Sequence, residues 1–246
     1  MKLAVQLYNF RVELKQDFKG TLREIAKLGF DGVEFATYYG NMEPEELAAF
    51  LKELKLECAG TMFPKDILCK MDSPAWLMAK TLNSPAVTFS YTENLPASWE
   101  TLLTMCQTAG KNAALNQLQF SYHNHHQEFF KLDDGQYVMT KVLQETNPQE
   151  VFIEPDVCWL TVAQVDPVSF IKTYANRIKQ IHLKDLTDPT KRETMTHLGK
   201  GCVNLTGCIE AAKETFCQWL IYEQDHSSDP FADAQASLSF MKKFGN

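Results

Sequence analysis

Hydrophobic and polar positions alternate along this chain in two different rhythms. In eight short segments about every second residue is apolar, which is typical of β-strands with one buried face. Between them, apolar residues recur every three to four positions, as on one face of an amphipathic helix. The strand-like segments are residues 2–8, 32–36, 56–62, 86–90, 118–123, 150–156, 178–184 and 218–223. The helix-like segments are residues 20–28, 45–54, 99–114, 137–145, 167–174, 205–215 and 232–243.

This alternation predicts a parallel sheet joined by helical crossovers. Eight such units in 246 residues predict closure into a (β/α)8 TIM barrel, which we expect to form a single domain over residues 1–246. Gly29 follows the first helix-like segment and is expected to end that helix. Neither a GxGxxG nor a GxxxxGK[ST] sequence follows the first strand, which argues against a dinucleotide or nucleoside triphosphate site.

Polar residues collect where the later strands end, and active sites of such barrels lie at the carboxyl ends of the strands. Successive side chains of a strand point to opposite faces, so the apolar positions reveal which neighbours face the barrel axis. The inward strand-end residues predicted in this way are His123, Asp156, His182 and Glu223. Two imidazoles and two carboxylates predict a site for a divalent metal, namely Mn²⁺, Co²⁺, Mg²⁺, Zn²⁺ or Fe²⁺. Glu128 is the alternative ligand to His123.

Other residues near these strand ends are candidates for substrate binding. Glu34 has inward parity on the second strand and is expected at the rim of the site. His125 lies at the junction of a strand and a loop, and Trp159 and Phe63 are expected to wall a pocket in which a sugar stacks on an aromatic face. Glu154 also faces inward and is expected to orient an imidazole ligand.

Composition narrows the class of partner. The net charge is −7 and no cluster of lysine and arginine stands out, which argues against nucleic acid and favours a small sugar-like substrate. Seven cysteines without a CxxC pair favour free thiols in a reducing compartment. With no signal-peptide pattern and no apolar stretch of membrane-spanning length, we expect a cytoplasmic protein that does not enter membranes. Assembly into a homo-oligomer is left open.

Three segments at the strand ends have the form of known motifs. Residues 122–125 with Glu128 are similar to YHNHxxE, residues 156–159 to DVYW, and residues 181–185 to HLKD. Residues 198–201 and 222–225 are similar to LGEG and VEQD. Together they resemble the xylose-isomerase-like barrel superfamily, the group of sugar phosphate isomerases and epimerases. The resemblance implies a divalent metal held by residues of strands five to eight, and Asp156, His182 and Glu223 match three of those ligands.

The chain departs from these motifs and from the epimerase pattern at several positions, among them Cys158 in place of the tyrosine of DVYW. His123 occupies the strand-five position at which the resembling epimerases carry a glutamate, one of a pair that moves a proton on the two faces of the substrate. Trp159 replaces a histidine that those epimerases carry three residues after the aspartate, and Lys200 replaces the usual glutamate of LGEG. Relatives with the YHNH motif include dehydratases and lyases that act on keto-sugars or inositol-derived ketones.

The favoured function is a metal-dependent isomerase or epimerase that removes a proton next to the carbonyl of a sugar or keto-sugar and forms a metal-stabilised enediolate. Glu223 is expected to be both ligand and base, with Lys184, His125 or Glu128 as the acid. The alternative is a metal-dependent dehydratase or lyase on keto-sugars or inositol-derived ketones. More remote alternatives are a phosphodiesterase similar to the DNA-repair endonucleases of this superfamily, and a non-catalytic sugar-binding barrel.

Overall fold

Eight parallel strands form a nearly closed barrel in the computed structural model, which describes residues 1–91 and 93–244. The strands are β1 (Lys2–Gln6), β2 (Gly32–Ala36), β3 (Glu57–Met62), β4 (Val87–Ser90), β5 (Phe120–His123), β6 (Val151–Glu154), β7 (Gln180–Leu183) and β10 (Trp219–Tyr222), with a small antiparallel hairpin of β8 (Asp185–Leu186) and β9 (Met195–Thr196). The barrel order runs from β6 down to β1 and then through β10 to β7. Isolated bridges join β6 to β7, and the His182 backbone N–H donates to the Pro155 carbonyl at 3.0 Å. The predicted (β/α)8 fold is confirmed.

The helices lie between the strands, and each of the seven predicted helices is present with ends shifted by a few residues. They are α2 (Phe18–Leu28), α3 (Pro44–Leu54), α6 (Trp99–Leu115), α7 (Val138–Gln144), α9 (Pro167–Thr173), α10 (Leu205–Ala212) and α11 (Pro230–Met241). Gly29 ends α2 with φ of 93°, the left-handed conformation expected from the sequence. Short helices that the periodicity missed are α1 (Arg11–Gln16), α4 (Lys65–Leu68), α5 (Ala75–Thr81) and α8 (Val157–Val162), because one or two turns leave too few residues to show a helical period. Among the described residues no helix combines the length and apolarity needed to span a bilayer.

The interior of the barrel changes from apolar to polar along its axis. At the amino ends of the strands, Ala4, Ala59, Trp219 and Ile221 form a buried cluster separate from the main core. The main core lies between strands and helices, where Phe89 packs against Phe120 and Tyr122. Towards the carboxyl ends the buried interior becomes charged. This polarity places the site at one end of the barrel.

Candidate metal centre and active site

Four side chains from four neighbouring strand ends meet inside the barrel. His123, Asp156, His182 and Glu223 each offer one potential ligand atom, and these atoms all lie within 4.8 Å of one another. All four residues are buried, and Glu223 is the most exposed of them at 8%. The structure therefore brings together the set that strand parity selected, in a geometry that one divalent ion could bridge.

The local structure around Asp156 leaves one carboxylate oxygen for the centre. Asp156 caps α8, where its Oδ1 accepts the backbone N–H groups of Cys158 and Trp159 at 2.9 and 3.0 Å. Its own N–H donates to the Asn124 side chain at 3.1 Å. The buried Oδ2 accepts no hydrogen bond from any described residue, although Lys184 Nζ lies 3.1 Å away. Lys184 offsets the charge of this oxygen, and a metal ion at the centre could take the acceptor position that no hydrogen bond occupies.

One carboxylate orients both imidazoles. Glu154 Oε1 lies 3.2 Å from His123 Nδ1 and 2.7 Å from His182 Nε2. The nitrogens left for a metal are therefore His123 Nε2 and His182 Nδ1, and the latter lies 2.9 Å from Glu223 Oε2. Carboxylates that hold ligand imidazoles in this way fix both ring orientation and tautomer.

A second layer of polar groups lies directly beneath the centre. Glu34 Oε2 contacts His182 Nε2 at 2.5 Å and accepts a hydrogen bond from Gln6 Nε2 at 2.7 Å. Gln180 Nε2 donates to the other oxygen of Glu34, Oε1, at 2.9 Å and also contacts Glu154. Glu34, Glu154 and His182 also lie within metal-binding range of one another. Because these carboxylates already accept amide N–H groups, the layer is better suited to supporting His182 than to holding a second ion.

The expectation that Glu34 lies at the rim was wrong, because the side chain is fully buried below the candidate metal centre. Strand parity predicts the direction of a side chain but not its depth along the barrel axis. Burial, together with the negative charge of Glu154, raises the pKa of Glu34 to about 8.

Lys184 carries a positive charge into the centre. Its ammonium group lies 3.1 Å from Asp156 Oδ2, 3.1 Å from Glu223 Oε2 and 2.8 Å from Asp225 Oδ1. Burial disfavours the charged ammonium, but these carboxylates outweigh that effect and raise its pKa well above the usual range. For Glu223, burial favours the protonated form, but Lys184 and His182 outweigh burial and lower its pKa. Glu223 is therefore an ionised carboxylate at neutral pH.

The centre opens into a cavity of about 520 Å³ at the carboxyl ends of the strands, a size typical of small-molecule sites. His123, Glu223, His125 and Phe63 line it, which brings two of the candidate substrate-binding residues to the cavity wall. Burial lowers the pKa of His125, with a further contribution from His123, so His125 is neutral at physiological pH. Phe63 stacks on Tyr39 with ring centroids 5.1 Å apart.

Trp159 is not among the described residues that line this cavity. Its ring packs 5.6 Å from each of the His125 and His126 rings, and the Lys184 ammonium lies 5.2 Å from its centroid. The indole therefore contacts residues around the centre rather than the cavity itself.

Glu128 lies behind β5 and is not part of the four-residue group. Its Oε1 accepts the Tyr122 hydroxyl at 2.5 Å, and its Oε2 accepts the His125 backbone N–H at 3.0 Å. Burial raises its pKa to about 7. Of the two alternatives for the strand-five ligand, the structure brings His123 and not Glu128 to the centre, because Glu128 follows a turn that directs it toward outward-facing Tyr122.

Sequence reasoning missed three residues that shape the site. Asp225 lines the cavity and pairs with Lys184, and Gln180 supports the two buried glutamates. Asp185 accepts the backbone N–H groups of Gly199, Gly201 and Val203 at 2.9–3.2 Å, which ties the loop after β9 to the end of β7. A signal existed for Asp185 and Asp225, since each lies two residues or fewer beyond a predicted site residue.

Comparison with known proteins identifies the family. The sequence pattern of the xylose isomerase-like TIM barrel family matches residues 22–244. The chain belongs to this family. The resemblance found in the strand-end motifs is thereby confirmed.

Individual relatives of the chain carry different names. The inosose dehydratase of Clostridium beijerinckii is 22% identical over 273 aligned positions, which cover 92% of this chain and 89% of the relative. A solved sugar phosphate isomerase/epimerase from Parabacteroides distasonis superposes with a TM-score of 0.83 at 19% identity, covering 100% of both chains. The IOLI protein, solved with a binding zinc atom, gives a TM-score of 0.78 at 14% identity over 99% of this chain and 98% of its own. At such identities the solved structures show a shared fold.

Proposed function

We propose that this protein is a divalent-metal-dependent enzyme that removes a proton next to the carbonyl of a sugar-like ketone. The observation that carries the proposal is the group of His123, Asp156, His182 and Glu223, which is buried, tightly clustered and open to a cavity. Asp156 and Glu223 share the single ammonium of Lys184, and Asp156 Oδ2 accepts no hydrogen bond, which leaves negative charge that a metal ion could balance.

The four residues of the centre would hold the ion through His123 Nε2, His182 Nδ1 and the carboxylates of Asp156 and Glu223. A bound divalent ion supplies Lewis acidity, which stabilises the negative charge that develops on the carbonyl oxygen as the neighbouring proton leaves. Two imidazole ligands favour Mn²⁺, Co²⁺, Zn²⁺ or Fe²⁺ over Ca²⁺.

The residues of the chain can move the proton themselves. Glu223 is ionised and faces the cavity, so it can accept a proton from the substrate carbon. Lys184, a buried ammonium 3.1 Å from Glu223, would keep that carboxylate ionised, and the proton that Glu223 accepts can leave with a departing hydroxyl as water. His125 is neutral, lines the cavity and can hydrogen-bond a substrate hydroxyl.

Loss of water is the reaction that these residues support best. An epimerase must return the proton to the opposite face of the substrate, which requires a second base. In the resembling epimerases that base lies on β5, where this chain has His123, a candidate metal ligand held by Glu154. The curated relative named inosose dehydratase supports the same choice and suggests an inositol-derived ketone as substrate. Isomerisation or epimerisation is the second candidate, favoured by the fold shared with the isomerase/epimerase from P. distasonis.

The test is proton exchange in D₂O. Protein loaded with Mn²⁺ would be incubated with a panel of inososes and keto-sugars, and the substrates followed by NMR. We expect deuterium at the carbon next to the carbonyl, or loss of that hydrogen together with a neighbouring hydroxyl. Dehydration gives a product lighter by one water, whereas isomerisation or epimerisation gives a product of unchanged composition. Absence of both exchange and product across the panel, in metal-loaded protein, contradicts the proposal.

A further inference from the structure

Thr37, the residue directly after β2, has an uncommon backbone conformation. Its φ is 59°, in the left-handed region, where a β-branched side chain is a strained exception. The Tyr38 backbone N–H donates to the Ala36 carbonyl at 2.7 Å, which closes a three-residue turn around Thr37. Such turns with positive φ at the centre are rare. The chain therefore carries local backbone strain at this position.

The other described non-glycine residues with positive φ lie in ordinary settings. Three are asparagines, which tolerate this region, and three follow directly on the ends of helices. These six residues are Asn41, Asn83, Asn94, Lys55, Gln117 and Gln164. Of the seven, Thr37 is the one β-branched residue and the one that lines the cavity. Strain of this kind is concentrated at ligand sites, where the surrounding structure maintains it.

Neighbouring groups hold the Thr37 turn in place. The Met62 carbonyl accepts the Thr37 backbone N–H at 3.1 Å and the Tyr39 hydroxyl at 3.0 Å. The Tyr39 ring stacks on both Phe35 and Phe63, with centroids 5.0 and 5.1 Å away. Because Phe63 is part of the cavity wall, the same aromatic stack fixes the wall and the turn.

Thr37 lies across the cavity from the candidate metal ligands. Those ligands come from the ends of β5, β6, β7 and β10, and β2 is opposite β6 in the barrel order. The Thr37 side chain is exposed, so its hydroxyl is available to a bound molecule. A hydroxyl can donate and accept a hydrogen bond. Thr37 is therefore placed to contact the part of a substrate that extends away from the metal.

We propose that Thr37 is a specificity-determining residue that hydrogen-bonds a substrate hydroxyl remote from the metal, and that the strained turn presents it to the cavity. This inference rests on the proposed function and names a residue that recognises the substrate away from the reacting carbon. Such a contact is made equally in the bound substrate and in the transition state. Its loss should therefore raise KM and leave kcat unchanged.

Three substitutions separate the hydroxyl from the strain. T37V keeps the branched shape and the strain but removes the hydroxyl, T37S keeps the hydroxyl, and T37G removes both hydroxyl and strain. Calorimetric titration of the Mn²⁺-loaded proteins would use scyllo-inosose and D-fructose as probes. The loss of one neutral hydrogen bond should raise the dissociation constant about 3- to 10-fold in T37V and T37G, and less than about two-fold in T37S.

Thermal unfolding of the same metal-loaded proteins tests the strain. T37G should raise the melting temperature by about 2–4 °C, because glycine adopts positive φ without steric conflict. T37V should unfold near the temperature of the unaltered protein. Gln117→Gly is the control, since Gln117 has the same φ of 59° but precedes β5 at the other end of the barrel. It should leave the dissociation constant unchanged.

Each outcome bears on one part of the inference. Equal dissociation constants for T37V and the unaltered protein, or as large a loss in T37S as in T37V, would exclude the Thr37 hydroxyl from recognition. A melting temperature that does not rise in T37G would show that the turn is not strained. If the unaltered protein binds neither probe, the inference fails. Binding that depends on Thr37 in a protein without proton exchange would instead locate the failure in the proposed function.

Discussion

Glu154 illustrates how one side chain can control a whole metal centre. Its carboxylate contacts His123 Nδ1 and His182 Nε2, and Glu34 is a second partner of the latter, so the other nitrogen of each ring faces the centre. Burial disfavours its charge, but the two imidazoles, His182 foremost, outweigh burial and lower its pKa. Glu154 thereby remains an acceptor for both rings.

Glu154→Gln should weaken metal binding while the fold is retained. Both rings contact the same oxygen, Oε1, and the amide can keep an oxygen there only by turning its NH2 group towards the Gln180 amide, which is also a donor. The hold on the two rings is therefore weakened. Loss of such a supporting partner typically lowers metal affinity about 10- to 100-fold. Titration with Co²⁺, followed by its visible absorption, measures both affinity and coordination. Glu150→Gln, just before the same strand, is the matched control, and equal affinities in the two variants would contradict this role.

Glu223→Gln should affect turnover far more than stability. The change keeps the volume but removes the base, which typically costs roughly 10²–10⁴-fold in rate. Lys184 still has Asp156 and Asp225 as partners, so the loss in unfolding free energy should stay below about 2 kcal/mol. Turnover on the substrate found in the panel and denaturant unfolding are the paired measurements. A variant that keeps full turnover would exclude Glu223 as the base.

At the scale of elements, Asp185 in β8, two residues beyond β7, holds the loop that follows β9. The carboxylate accepts three backbone N–H groups of residues 199–203, and a fourth from Leu186 at 3.0 Å. The similarity of residues 198–201 to LGEG thus has a structural explanation, since the backbone approaches the carboxylate too closely for a side chain at Gly201.

Gly201→Ala should loosen this loop. A Cβ at that position would clash with the Asp185 carboxylate and the Leu186 carbonyl. Overpacking of this kind costs typically about 1–3 kcal/mol. Thermal unfolding measures the loss, and Lys200→Ala, at the exposed neighbouring position, is the control expected to change little. Equal melting temperatures in the two variants would show that the loop can move aside.

At the scale of the whole molecule, the barrel should be more stable with a metal than without. An ion that binds the folded state alone, at a free concentration of 100 times its Kd, stabilises that state by about 2.7 kcal/mol. For a chain of this size, that corresponds to a rise in melting temperature of roughly 5–10 °C.

Thermal unfolding in EDTA, and after addition of Mn²⁺, measures this difference. Ca²⁺ is the control ion, expected to have a smaller effect because it prefers oxygen ligands. If Mn²⁺ raises the melting temperature of the Glu154→Gln variant as much as that of the unaltered protein, the stabilisation does not arise at this centre.

The sequence by itself determined the strand–helix alternation and the direction of each strand-end side chain. Both follow from local geometry, because a strand repeats every two residues and a parallel sheet needs a crossover between strands. That was enough to predict the barrel and to choose His123, Asp156, His182 and Glu223 as neighbours. The choice of metal ligands stays a prediction, although their proximity is established.

Only the tertiary structure decided depth, pairing and charge. Glu34 and Glu223 both point into the barrel, but Glu34 lies beneath His182 whereas Glu223 lines the cavity. The depth of each side chain along the barrel axis depends on how far neighbouring strands are staggered. Glu128 is close to His123 in sequence but hydrogen-bonds Tyr122 on the opposite face of β5. The pairing of Lys184 with Asp225, 41 residues away, and of Lys65 with Glu93, 28 residues away, arises from contacts between separate strand ends, which no local pattern encodes.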